Sequence, residues 1–101
     1  MRTQVNYTCA NPHGFGVLDA ALIAKTASHF ASAVTLEING RKCNATSLLD
    51  VLSLSIEDGD SICVTAEGED AAEATQCVGA LLSHAEKGHS VPPRVRPAMS
   101  P

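Results

Sequence analysis

The chain predicts an α+β fold of element order β-α-β-β-α-β-α, and three features carry that prediction. Short segments alternate apolar and polar residues, as half-buried strands do. Longer segments repeat apolar residues at helical spacing, and polar turns bearing glycine or asparagine separate the two kinds. Three helices on one face of a four-stranded, mostly antiparallel sheet make a two-layer domain. The pattern leaves the strand order open. A length of 101 residues suffices for one domain with one core. Aromatic residues are few (Tyr7, Phe15 and Phe30), so Leu, Val, Ile and Ala must fill that core.

The first strand is expected from Gln4 to Ala10, with Val5, Tyr7 and Cys9 on one face and Asn6 and Thr8 on the other. Asn11-Pro12 and the glycines Gly14 and Gly16 then force a sharp turn. The first helix follows from Val17 to about Ala31, because Ala20, Ile23, Ala24, Ala27 and Phe30 recur at helical spacing. Its other face carries Leu18, Lys25 and His29, and His29 suits the negative end of the helix dipole. A glycine-bearing loop feeding a helix N-terminus presents unpaired N–H groups, a natural seat for an anion.

From Ala33 to Asn39 the alternation returns with Val34, Leu36 and Ile38 inward, and Asn39-Gly40 signals a hairpin to a short strand from Arg41 to Asn44. Ser47 stands where an N-cap belongs, with Asp50 three residues on in the first turn. Leu48, Leu49, Val51, Leu52 and Leu54 place apolar groups on more than one face of this second helix. A short helix buries one stripe, so some of these leucines should remain at the surface. The Glu57–Asp60 turn leads to a strand from Ser61 to Ala66, with Ile62, Val64 and Ala66 sharing a face, and Gly68 ends it. Glu69 and Asp70 open a last helix with a stripe of Ala71, Ala74, Val78, Leu81 and Leu82, expected to end near Lys87-Gly88. Residues 1–88 form the domain. Residues 89–101 hold four of the five prolines and are expected to be a disordered tail.

The formal net charge is −4, and Arg94 and Arg96 lie in the tail, so the domain itself is more acidic. Acidic residues gather between Glu57 and Glu73, which argues against nucleic acid and anionic membrane as partners. No apolar run reaches the roughly 20 residues of a membrane span, and no signal peptide is visible, so a cytoplasmic location is expected. Cys9, Cys43, Cys63 and Cys77 show no C-x-x-C spacing and no paired histidines nearby. They are read as structural thiols, with no metal site.

Two stretches carry more. Asn11-Pro12-His13-Gly14-Phe15-Gly16-Val17-Leu18-Asp19-Ala20-Ala21-Leu22 and Asn44-Ala45-Thr46-Ser47-Leu48-Leu49-Asp50-Val51-Leu52-Ser53-Leu54 together resemble HPr, the histidine-containing phosphocarrier of the bacterial sugar phosphotransferase system. That family carries Gly-Leu-His-Ala-Arg-Pro-Ala at its first helix and Asn-Ala-Lys-Ser-Ile-Met-Gly-Val-Met-Ser-Leu at its second. The resemblance spans Val5 to Leu82 and implies an HPr-like open-faced β-sandwich. The first stretch departs from the family. Gly16 stands at the phosphorylated histidine, Leu18 at the arginine that supports the phosphoryl group, and Asp19 at the proline after it.

The resemblance therefore implies HPr architecture without phosphoryl transfer at position 16, since Gly16 has no side chain to phosphorylate. His13, three residues earlier, is the remaining acceptor in the loop. In Gram-positive HPr and its histidine-lacking relatives the serine matching Ser47 is phosphorylated by a dedicated kinase, which makes Ser47 a regulatory candidate as well as a cap. The positions matching Leu48, Leu49 and Leu52 form the family's docking patch, and Phe15 and Leu18 would extend it. No triad, metal set or nucleotide loop is visible, so the protein is not read as an enzyme and no cofactor is implied. Three readings stand. A regulatory or protein-binding variant would meet Enzyme I, an HPr-kinase-like protein or a transcriptional or metabolic regulator. An active phosphocarrier would use His13. A structural module would self-associate through the leucines.

Overall fold

The computed structural model describes residues 1–12 and 14–84. The elements are β1 (Arg2–Thr8), α1 (Val17–Ser28), β2 (Ala33–Ile38), β3 (Arg41–Asn44), α2 (Leu48–Ser53), β4 (Ser61–Glu67) and α3 (Ala71–His84). The order is the one the sequence predicts. The four strands make one sheet in the order β1-β4-β2-β3, and every pairing in it is antiparallel.

Register follows from burial. Val5 pairs with Val64, and Leu36 with Val64 on the other side, so apolar residues of three strands line up across the inner face. Val34, Leu36, Ile38, Ile62, Val64 and Ala66 are buried there against Ala20, Ile23 and Ala27 of α1 and Ala71, Ala74, Val78 and Leu82 of α3. A one-residue slip would turn each strand's apolar set to solvent. The other face is open and polar, with Arg2, Gln4, Thr35, Glu37, Lys42, Thr65 and Glu67 in a shallow depression. Arg2 and Glu67, opposite each other in register, form an exposed ion pair at 3.2 Å.

The turns obey local chemistry. Asn39 and Gly40 both adopt positive φ, 52° and 82°, the left-handed pair that a two-residue hairpin between twisted strands requires. Ser47 caps α2, its Oγ accepting from the Asp50 N–H at 3.3 Å. The Asn44 side chain accepts from the Thr46 N–H at 3.0 Å, which turns the chain from β3 toward that cap.

α1 ends at Ser28, three residues short of the expected Ala31. The His29 and Phe30 amides take 3₁₀-type bonds to Thr26 and Ala27, tightening the last turn. The next two amides, of Ala31 and Ser32, donate to the Asp70 carboxylate at 2.9 Å each. Asp70 thus does more than open α3: it draws the α1–β2 loop away from helical bonding. β1 runs from Arg2 to Thr8, so Ala10, expected inside the strand, lies beyond it and its N–H donates to the Leu82 carbonyl of α3 at 3.0 Å. Tyr7 packs over Gly79 of α3, where an added Cβ would fall inside the phenol ring. The expected helix end at Lys87-Gly88, the domain boundary there and the tail lie outside the described residues.

The helices divide the work. α3 covers β1, β4 and β2, α1 packs on α3 and on α2, and α2 reaches β3. α1 and α2 are therefore neighbours in the helical layer, and bonds from Cys9 and Asn11 to residues 58–60 tie the loop that leads into α1 to the turn after α2.

Candidate functional site

The loop between β1 and α1 is held from three directions. The Cys9 N–H donates to the Asp60 carbonyl at 2.8 Å, and its own carbonyl accepts from the Gly59 N–H at 2.8 Å. The Asn11 N–H donates to Asp58 Oδ1 at 2.7 Å. The buried Asn11 side chain donates through Nδ2 to Asp19 Oδ2 at 3.2 Å. That same Oδ2 accepts from the Gly16 N–H at 2.9 Å. Gly16 has no side chain to complete a reciprocal capping box, so only the returning half forms, from the carboxylate three residues into the helix.

The chemical consequence is specific. The sequence predicts an anion seat at this helix N-terminus, and an anion is there: the Asp19 carboxylate of the chain itself. It takes the Gly16 amide and lies at the positive end of the α1 dipole. Around Gly16 there is room, since a Cβ built on it would meet nothing within 4 Å and its φ of −115° is open to any residue. Leu18, in the same turn, is 81% exposed and brings no charge. His13 lies outside the described residues. Burial, together with the Asp58, Asp60 and Asp19 carboxylates, pushes the Cys9 thiol up, so it stays protonated and unreactive. The four cysteines are free thiols, and among the described residues no group of three or more His, Cys, Asp or Glu side chains is placed to hold a metal.

The leucines separate into two groups. Leu49 is 75% exposed on α2, while Leu48 and Leu52 are half-buried and pack against the core, as does Phe15 from the loop. Val51, Leu54 and Ile56 are buried beneath them. On α1, Val17 and Leu22 join Leu18 at the surface, at 59% and 51% exposure. Leu18 and Leu22 are one turn apart and so lie side by side. The sequence reading missed Val17, Leu22, Asn11 and Asp58. Leu22 was open to detection, being four residues after Leu18. Asp58 gave no local signal, because the Asn11 amide it accepts from is 47 residues away, whereas Asn11 and Asp19 stand only eight residues apart.

Among the described residues, no helix is long and apolar enough to cross a membrane.

The family model for the PTS HPr component phosphorylation site matches residues 3–84. The phosphocarrier protein HPr of Bacillus anthracis superposes with a TM-score of 0.77 at 30% identity, covering 81% of this chain and 98% of that one. HPr-C-His of Thermoanaerobacter tengcongensis gives 0.77 at 30% identity, with 88% and 99% covered. Crh, the catabolite repression HPr of Bacillus subtilis, gives 0.62 at 32% identity, with 80% and 96% covered.

Proposed function

The chain belongs to the HPr family of the phosphotransferase system, and we propose that within it the protein is a regulatory, protein-binding member rather than a carrier of phosphoryl groups on histidine. The observation that carries this reading is the Asp19 carboxylate bonded to the Gly16 amide at the head of α1. Phosphoryl transfer requires a nucleophile that accepts and releases the group, with donors free to stabilise its charge. Gly16 supplies no nucleophile, and its N–H is already engaged. A phosphoryl group near Asp19 would also face a like charge, which costs roughly 1 kcal/mol at about 4 Å even in water. Leu18 offers no guanidinium in compensation.

What remains on α1 and α2 is apolar contact surface. Leu18, Val17, Leu22 and Leu49 expose their side chains, and Phe15, Leu48 and Leu52 are half-buried and pack against the core. Exposed apolar groups gathered on adjoining helices mark protein contact. Partners of the family's kind, such as Enzyme I, an HPr-kinase-like protein or a metabolic or transcriptional regulator, would meet the chain here. Ser47 stands at the edge of the same surface, and its hydroxyl is a site for regulatory phosphorylation. A phosphate there gains from the amides at the head of α2 and loses to Asp50 in the same turn.

The test is intact mass after incubation with phosphoenolpyruvate and Enzyme I, beside an authentic HPr in the same tube. The protein is expected to stay unlabelled while the control gains one acid-labile phosphate. Labelling that disappears in His13→Ala would make the loop histidine a relocated carrier site and overturn the proposal.

A further inference from the structure

The exposed leucines of α1 and α2 present apolar surface that a partner could cover. The Ala10 N–H donates to the Leu82 carbonyl, so the last turn of α3 lies against the stretch that runs through Asn11 into α1. Asn11, next in the chain after Ala10, is in turn bonded to Asp58 and Asp19, so these carboxylates belong to the loop that the Leu82 carbonyl contacts. Residues 1–84 hold four Lys or Arg against ten Asp or Glu, a formal charge of −6, whereas residues 85–101 hold three against one, a charge of +2. The stretch Val91-Pro92-Pro93-Arg94-Val95-Arg96-Pro97-Ala98-Met99 intersperses apolar residues with both arginines. Asp50, Glu57 and Asp58 are exposed carboxylates on α2 and the turn after it. The nearby cations are Lys25, in the last turn of α1, and Arg41, whose Nη2 already donates to the Ser53 carbonyl at 2.6 Å.

We propose that residues 85–101 bind the apolar face of α1 and α2 in cis, arginines toward its carboxylates and valines toward its leucines, and so compete with partner proteins for it. The regulatory meaning rests on the docking function proposed above; the contact itself does not. Reach is ample. Nine residues lie between His84 and Arg94, a reach of at most about 33 Å at the roughly 3.3 Å per residue of extended chain, and α1 is only about 18 Å long at 1.5 Å per residue. The prolines also reduce the entropy lost when the segment is ordered.

The experiment compares amide spectra of the full chain with those of R94E/R96E, and of Arg2→Gln on the opposite face as a control. The resonances of Val17, Leu18, Leu22 and Leu49 are expected to move in R94E/R96E and not in the control. They should move in the same direction in the wild type when ionic strength rises from about 0.01 M to about 1 M, as the Debye length shrinks from roughly 30 Å to 3 Å. A synthetic peptide of residues 85–101, added to R94E/R96E, should return them. Resonances indifferent to the double substitution at low salt would overturn the proposal. So would shifts that track protein concentration and ignore the substitution, which would give the face to a second copy. Enzyme I docking is measured on the same samples. If the resonances move but neither protein docks, the cis contact stands and the proposed function falls.

Discussion

Asp19 shows how one side chain changes what a loop can do. Its carboxylate both caps α1 and fills the seat where an external anion would bind. Replacing Gly16 alone is therefore not expected to create a carrier. Gly16→His should fold normally, within about 0.5 kcal/mol of the parent, because nothing stands within 4 Å of the new Cβ. It should remain unlabelled by Enzyme I while Asp19 holds the Gly16 amide. The triple variant Gly16→His, Leu18→Arg, Asp19→Pro carries the residues that the HPr resemblance implies at these positions and is expected to gain one acid-labile phosphate by mass. Labelling of the single variant at the same rate would show that Asp19 is no obstacle. Gly79 is a second residue whose identity is dictated by a neighbour. Tyr7 occupies the space of its missing side chain, so Gly79→Ala should destabilise by about 1–3 kcal/mol through overpacking. Urea unfolding reads this, and an unchanged midpoint would mean that the ring moves aside freely.

Between elements, the most consequential tie is Asp70. Its carboxylate accepts from the Ala31 and Ser32 amides at 2.9 Å and from the Ser32 hydroxyl at 2.5 Å, binding the α1–β2 loop to the head of α3. Gly68 completes the junction, since a Cβ there would lie 2.5 Å from Ser32 Oγ and its φ of +149° favours glycine. The Ser32 hydroxyl, the Ala31 amide and the Ser32 amide hold the Asp70 carboxyl below its ordinary value of 3.8. A pKa depressed by folding contributes stability above the unfolded value and loses it as pH falls through the folded value. Stability is thus expected to be level near neutrality and to decline below about pH 4, with part of that decline missing in Asp70→Asn. Denaturation midpoints between pH 7 and pH 2 measure it, and identical slopes for both proteins would remove Asp70 from the account. α2 depends on its ends in a different way. With six residues it cannot stand on propensity. Ser47 caps its start, the Arg41 guanidinium bonds the Ser53 carbonyl at its end, and buried Val51 anchors it.

For the molecule as a whole, the two-layer arrangement separates stability from contact. The core lies between sheet and helices, the outer face of the sheet is polar, and, Met1 apart, the large exposed apolar side chains among the described residues lie on α1 and α2. The double variant Leu18→Ala, Leu49→Ala is expected to unfold within about 1 kcal/mol of the parent, because neither side chain is buried. It should weaken docking of a protein partner at least tenfold, the usual consequence of losing about 1.4 kcal/mol at a contact centre. Isothermal titration with Enzyme I reads the second effect. Equal affinity for parent and variant would place the docking surface elsewhere.

Every strand and helix was legible, because each is encoded by a local period: alternation in β2 and β4, helical spacing in α1 and α3, Asn39-Gly40 at the hairpin and Ser47 at its cap. That Gly16, Leu18 and Asp19 stand where the HPr resemblance implies histidine, arginine and proline is a reading of the sequence alone. Other features depend on residues distant in the chain. The strand order β1-β4-β2-β3, the early end of α1, the division of the leucines into exposed and half-buried, and the Asn11–Asp19–Asp58 network follow from which surfaces meet. A periodic pattern states which face of an element seeks burial. Only tertiary packing decides what buries it, and which carboxylate reaches a given amide first.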